Sequence, residues 1–167
     1  MKKRCITFFC CCIIVLVSVL SGCVDKTQYL RIHIRANSNG KADQAVKYEV
    51  RDLVVNYLSP LVENCSSKHQ AISVVKENES AVNQLIEGLL RKKGFNYGCK
   101  ITVKNENFPT RVYQDVTLEA GCYDAIIIEL GKAEGENWWC VVYPPLCFTF
   151  KENVSYRSKI LDIINGL

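Results

Sequence analysis

From Leu30 onward the chain alternates. Leu30, Ile32, Ile34 and Ala36 are interleaved with Arg31, His33, Arg35 and Asn37, the period of two expected of a strand with one face buried. The alternation stops at Asn37-Ser38-Asn39-Gly40, residues that tolerate left-handed backbone and bond their own main chain. A different period then takes over. Val46, Val50, Leu53, Val54, Tyr57, Leu58 and Leu61 recur at steps of three and four, which predicts an amphipathic helix. A half-buried strand is thus expected to feed a long helix through a tight polar turn.

Further along, Ser59-Pro60 predicts a kink or restart, because proline lacks the helical donor. Ser67 with Gln70 resembles a capping box that opens a second helix through Ala71, Val74 and Val75. A third helix is expected from about Ser80 to Lys93, with Val82, Leu85, Ile86, Leu89 and Leu90 inside and Gly94 as its stop. The second half reads as sheet. Ile101 and Val103 alternate with lysines and threonine, and Val116 and Leu118 lead into Gly121. Ala125 to Ile128 is an unbroken apolar run suited to a strand covered on both faces. A polar turn from Gly131 to Asn137 precedes a last strand, Trp138 to Tyr143. The expectation is one α+β domain: a mostly antiparallel sheet of four or five strands, with helices packed on one face.

The N-terminal segment changes the reading of charge. Three cations within Met1–Arg4 precede an uncharged apolar run from Cys5 to Val24, the form of an export signal. The run is also long enough for a retained membrane anchor. It ends in Leu20-Ser21-Gly22-Cys23, which resembles the bacterial lipoprotein processing box. That resemblance implies a signal peptide over 1–22, a mature domain over 23–167, and a lipid on Cys23. An ordinary signal-peptidase site is the competing reading. With Lys2, Lys3 and Arg4 removed, the 21 basic and 17 acidic residues fall to 18 and 17, a net charge of +1. No basic block interleaved with aromatics marks a nucleic-acid partner.

Ten cysteines suggest a disulfide scaffold until they are sorted. Cys5, Cys10, Cys11 and Cys12 belong to the leader, and Cys23 to the processing box. Cys65, Cys99, Cys122, Cys140 and Cys147 remain, an odd number. Cys140 and Cys147 are the expected disulfide, since Pro144-Pro145 between them turns the chain back. A zinc site is disfavoured by that spacing and by the presence of only His33 and His69, so no metal and no cofactor is expected.

Three blocks carry a family resemblance: Ala36-Asn37-Ser38 with Asp43, Gln44, Lys47, Arg51 and Asp52; FPTRVYQDVTLEAGCYDAI from Phe108 to Ile126; and NWWCVVYPPLCF from Asn137 to Phe148. Together they resemble the stage II sporulation protein R family. Gly40-Lys41 stands where that pattern opens the helix with Ser-Pro, which removes a capping side chain. The resemblance implies a signal rather than a catalyst. Its members are made in the forespore and exported into the space between the two sporulating compartments. There they activate a membrane-embedded aspartic protease of the mother cell, which processes the precursor of the early mother-cell sigma factor.

Two other function classes compete on the residues. An extracytoplasmic hydrolase would use His33 with Cys140 as a Cys-His pair, but no nucleophile elbow, phosphate loop or HExxH sequence surrounds any candidate. A passive solute-binding lipoprotein fits the leader and leaves the Asn-Ser turn and the Trp-Trp strand without a role. The receptor-contact candidates are Asn37, Ser38, Arg51, Trp138, Trp139 and Tyr143. Along the first helix Asp43 and Lys47 are spaced for an i, i+4 ion pair. That spacing leaves Arg51 to find a partner in Asp52 and the Asn37-Ser38 turn, or on a receptor.

Overall fold

The computed structural model describes residues 27–113 and 116–145. Residues 1–26, with Cys23, and 146–167, with Cys147, lie outside the described residues, and so do the expected signal peptide and lipid site. In chain order the elements are β1 (Leu30–Arg35), α1 (Lys41–Val62), α2 (Lys68–Glu77), α3 (Glu79–Lys92), β2 (Cys99–Phe108), β3 (Arg111–Tyr113), β4 (Val116–Leu118), β5 (Gly121–Leu130) and β6 (Asn137–Tyr143). The fold is α+β. Its main sheet is mixed and has four strands in the order β2-β5-β1-β6, and β3 and β4 form a separate antiparallel ribbon.

By contacts the chain falls into two compact units, the smaller one containing residues 105–124. Within that unit the rings of Phe108 and Tyr123 meet edge to face at 5.8 Å. The Tyr123 hydroxyl donates to the Glu119 carbonyl at 2.6 Å, and Asn105 donates to Asp124 at 2.7 Å.

The larger unit holds the helices, β1, β6 and the remaining parts of β2 and β5. Ala125, Ile126, Ile127 and Ile128 are all buried, as their unbroken run predicts. Strand β1 departs from expectation: Arg31 and His33 are buried along with Leu30, Ile32 and Ile34. Its neighbours β5 and β6 close its two edges, and on the second face the Trp139 ring stacks on His33 at 5.1 Å. Alternation in sequence is silent on which strands flank a given one.

Strands β1 and β6 pair antiparallel, with Ile32 opposite Cys140, His33 opposite Trp139 and Ile34 opposite Trp138. Directly paired residues share a face. Ile32, Ile34, Trp138 and Cys140 therefore line one side, while His33 and Trp139 line the other. The guanidinium of Arg51 lies 5.8 Å over the Trp138 ring, which puts α1 on the first side. It buries Val46, Val50, Val54, Leu58 and Val62 there, each fully buried side chain contributing up to about 1.5–3 kcal/mol.

Three local expectations are corrected. Helix α1 runs through Pro60 to Val62; the proline sits in the last turn, so little helix remains to be broken. Leu61 and Leu85 are exposed, at the margins of their stripes. The box at α2 is split between two residues. The Gln70 amide donates to Ser67 Oγ, whereas the Gln70 side chain accepts from the Ser66 amide and hydroxyl. Helix α3 ends as capping predicts. Gly94 has φ +81°, its amide donates to the Arg91 carbonyl and that of Phe95 to Leu90, the paired bonds of a Schellman motif.

Candidate functional site at the strand–helix junction

The chain leaves β1 at Ala36 and enters α1 at Gly40, which caps the helix without a side chain, as its departure from Ser-Pro implies. The turn is organised from below by Asp43, in the first turn of α1. Its carboxylate accepts from Ser38 Oγ at 2.5 Å, Asn37 Nδ2 at 2.8 Å and the Tyr97 hydroxyl at 2.6 Å. Burial alone would push its carboxyl pKa up, but the hydrogen bonds from Ser38, Tyr97 and Asn37 outweigh burial and hold it below the usual range. Burial and the Asp43 carboxylate together push the Tyr97 phenol well above its ordinary value.

A second loop locks onto the same turn. Asn37 Oδ1 accepts from the Lys132 amide at 2.9 Å, and Asn39 Oδ1 from the Glu136 amide at 2.7 Å. The Gly135 and Glu134 amides donate to the carbonyls of Ala36 and Asn37. This approach needs two glycines. A Cβ on Gly131, which has φ +56°, would collide with Asn37 Oδ1, and one on Gly135 would collide with the Ser38 carbonyl.

Lys47 is buried, 1 % exposed. The expected Asp43–Lys47 ion pair is replaced: Lys47 Nζ donates to Gln44 Oε1 at 2.7 Å and to the Glu136 carbonyl at 3.1 Å. Gln44 in turn donates to the Ser38 carbonyl at 2.8 Å. Burial lowers the Lys47 pKa, with Glu136 opposing and Arg51 adding to the shift. Lysine here is a brace between α1 and the 131–136 loop rather than a surface charge.

One turn on, Arg51 pairs with Asp52 at 2.7 Å and lies between two rings, 5.0 Å from Tyr48 and 5.8 Å from Trp138. Its side chain is 18 % exposed, against 60 % for Asp52, and Tyr48 is 43 % exposed. Asn37 and Ser38 are thus gathered around Asp43, and Tyr48 and Trp138 around Arg51. Trp139 is elsewhere, stacked on His33 at 5.1 Å on the other side of the sheet. Tyr143 is opposite Leu30 at the far end of β6.

Beside the junction lies an open cleft of about 550 Å³, lined among others by Asn37, Tyr97, Lys100, Glu129, Gly131 and Lys132. Arg35 neutralises Glu129 at 2.7 Å. Tyr97 and Gly135 are absent from the sequence expectations, where Gly131 enters only as the start of a polar turn; the pair of glycines framing Lys132 to Glu134 was the available signal.

The pairing of His33 with Cys140 as a nucleophile couple is excluded by register, since they occupy opposite faces of the sheet, and Cys140 is disulfide-bonded. Cys122 is disulfide-bonded as well, which the turn argument for Cys140 and Cys147 did not anticipate. Cys65 and Cys99 are free thiols. Among the described residues no group of three or more His, Cys, Asp or Glu is arranged to hold a metal ion. No helix among them is long and apolar enough to cross a membrane.

The family model for stage II sporulation protein R matches residues 26–153. The chain belongs to the stage II sporulation protein R family. A stage II sporulation protein R of Bacillus subtilis (strain 168) is 35% identical over 121 residues, covering 72% of this chain and 54% of the relative. The chain therefore spans about half the length of that curated relative. No solved structure matches. Membership in the stage II sporulation protein R family gives the junction its context: the Asn37-Ser38 turn, Asp43, Lys47, Arg51 and Trp138 belong to a protein of sporulation.

Proposed function

We propose that this chain is an exported signalling protein of endospore formation and works by binding, not by catalysis. Its receptor is a membrane-embedded aspartic protease of the mother cell, which it activates to process the precursor of a mother-cell sigma factor. It acts in the space between forespore and mother cell. It is held at the membrane by a lipid on Cys23 or by an uncleaved N-terminal anchor. No nucleic acid and no cofactor takes part.

Family membership supports the sporulation role, and the Tyr48–Arg51–Trp138 stack supports the binding role. Tyrosine, tryptophan and arginine are the residues that dominate interface hot spots. Here Tyr48 and Arg51 of α1 are pre-ordered with Trp138 of β6 where the helix meets the sheet, which lowers the entropy lost on association. The neighbouring junction is cross-braced at Asp43 and Lys47, so the surface would be presented as a rigid unit to one receptor state.

Deleting the gene in its host and following the sigma-factor precursor by immunoblot tests this reading. Unprocessed precursor, restored by the intact gene, is the expected result. Normal processing in the deletion strain would remove it.

A further inference from the structure

We propose that the outer edge of β2 is a strand-acceptor site for an extended acidic peptide segment of a partner protein. The inference does not rest on the receptor proposed above, because it is read as direct binding to the chain.

Strand β2 lies at one end of the four-stranded sheet, so among the described residues one of its sides has no strand beside it. The orientation of its main chain is set at Cys99. There the amide donates to Glu87 Oε1 at 3.0 Å and the carbonyl accepts from Asn83 Nδ2 at 3.4 Å, both side chains of α3. The preceding carbonyl, of Gly98, instead accepts from the Gly131 amide, at the end of β5. Main-chain groups of successive strand residues point to opposite sides, so the even positions address β5 and the odd positions address the edge. Cys99, Ile101 and Val103 are the outward set.

Among the described residues, only the first of these is occupied. Gly98 makes that possible, because a Cβ there would collide with the Glu87 carboxylate. Two helix side chains cap the strand at its entry. Beyond it, no described side chain takes the main-chain groups of Ile101 or Val103. An incoming strand paired with Ile101 and Val103 would satisfy both, the geometry of β-augmentation.

Charge selects the occupant. Lys100 and Lys104 flank Thr102 on one face of β2 and are exposed, and Lys132 is exposed beside Lys100 at the cleft. Lysines along an edge oppose pairing with a second copy, since like charges directly opposite destabilise a ladder. The same lysines attract a strand with glutamate or aspartate at alternate positions. The partner segment is therefore acidic on one face and extended.

The probe is a synthetic ten-residue peptide alternating threonine and glutamate, with a threonine–lysine peptide as its counterpart. Full chain in mild detergent is titrated with each, and amide hydrogen exchange is followed by mass spectrometry. The acidic peptide is expected to bind and to slow exchange at Ile101 and Val103. Val103→Pro removes an outward amide while keeping every bond to β5, and should abolish that protection. The double variant K100E/K104E, which changes only exposed side chains, should weaken acidic-peptide binding about tenfold and favour the lysine peptide.

Equal binding of both peptides to the unaltered chain would overturn the acidic assignment. Protection elsewhere, or binding unchanged in both variants, would overturn the site. A chain that dimerises through β2 would show self-pairing instead and would also overturn it.

Discussion

The hydroxyl of Tyr97 donates to Asp43 at 2.6 Å across 54 positions of sequence. That bond ties the segment after α3 to the first turn of α1, and through Asp43 to the Asn37-Ser38 turn. The junction is consequently a product of three segments far apart in the chain: β1–α1, residue 97 and the 131–136 loop.

Replacing Asp43 with Asn should destabilise the domain by about 1–2 kcal/mol in urea denaturation at pH 7, because a charged acceptor of three donors becomes a neutral one. The effect should depend on pH. With its folded pKa held below the ordinary carboxylate value, Asp43 contributes stability fully present above that value. The contribution is lost as pH falls through the folded pKa. The gap between wild type and D43N should therefore narrow on acidification. A gap that is constant from neutral to acid pH would contradict the network's role.

Gly135→Ala should cost about 1–3 kcal/mol, because a Cβ has no room against the Ser38 carbonyl and Ala36. Gly131→Ala adds backbone strain, since φ is +56° there. Thermal unfolding of both variants checks this. Unchanged melting temperatures would show that the 131–136 loop does not grip the turn.

Arg51→Ala separates bracing from recognition. Its ion pair with Asp52 is half open to solvent and such pairs contribute about 0–1 kcal/mol, so the melting temperature should move by only a few degrees. Sigma-factor processing in a strain carrying the variant should fail. A folded variant that supports normal processing would return Arg51 and its stack to a structural role.

Thiol reactivity should divide the cysteines of the described residues into two pairs. Cys122 and Cys140 are disulfide-bonded and should alkylate only after reduction. Cys99 is a free thiol whose pKa is pushed up to about 12 by burial and by Glu87, so it should stay unmodified by iodoacetamide at pH 8 until the chain unfolds. Cys65, also free, is shifted up by burial alone. Non-reducing peptide mapping would also tell whether Cys140 is joined to Cys147. Rapid labelling of Cys99 in the folded chain would sink the assignment.

By itself the sequence determined what local periodicity can carry. The β1–turn–α1 passage, the Gly94 stop of α3, the isoleucine run of β5 and the Trp138–Tyr143 strand are all set by neighbours within one or two turns of the chain. Propensity, capping and turn chemistry act over that range. Tertiary structure alone decided three things. It covered both faces of β1, so Arg31 and His33 are buried despite an alternating pattern, with Trp139 of β6 stacked on His33. It gave Asp43 to Asn37, Ser38 and Tyr97 instead of to Lys47. It buried Lys47 against the Glu136 carbonyl 89 positions away. The reason is common to all three: the partners come from strand order and loop closure, and a charged side chain takes the partner that packing brings within hydrogen-bonding reach, not the one that helical spacing offers.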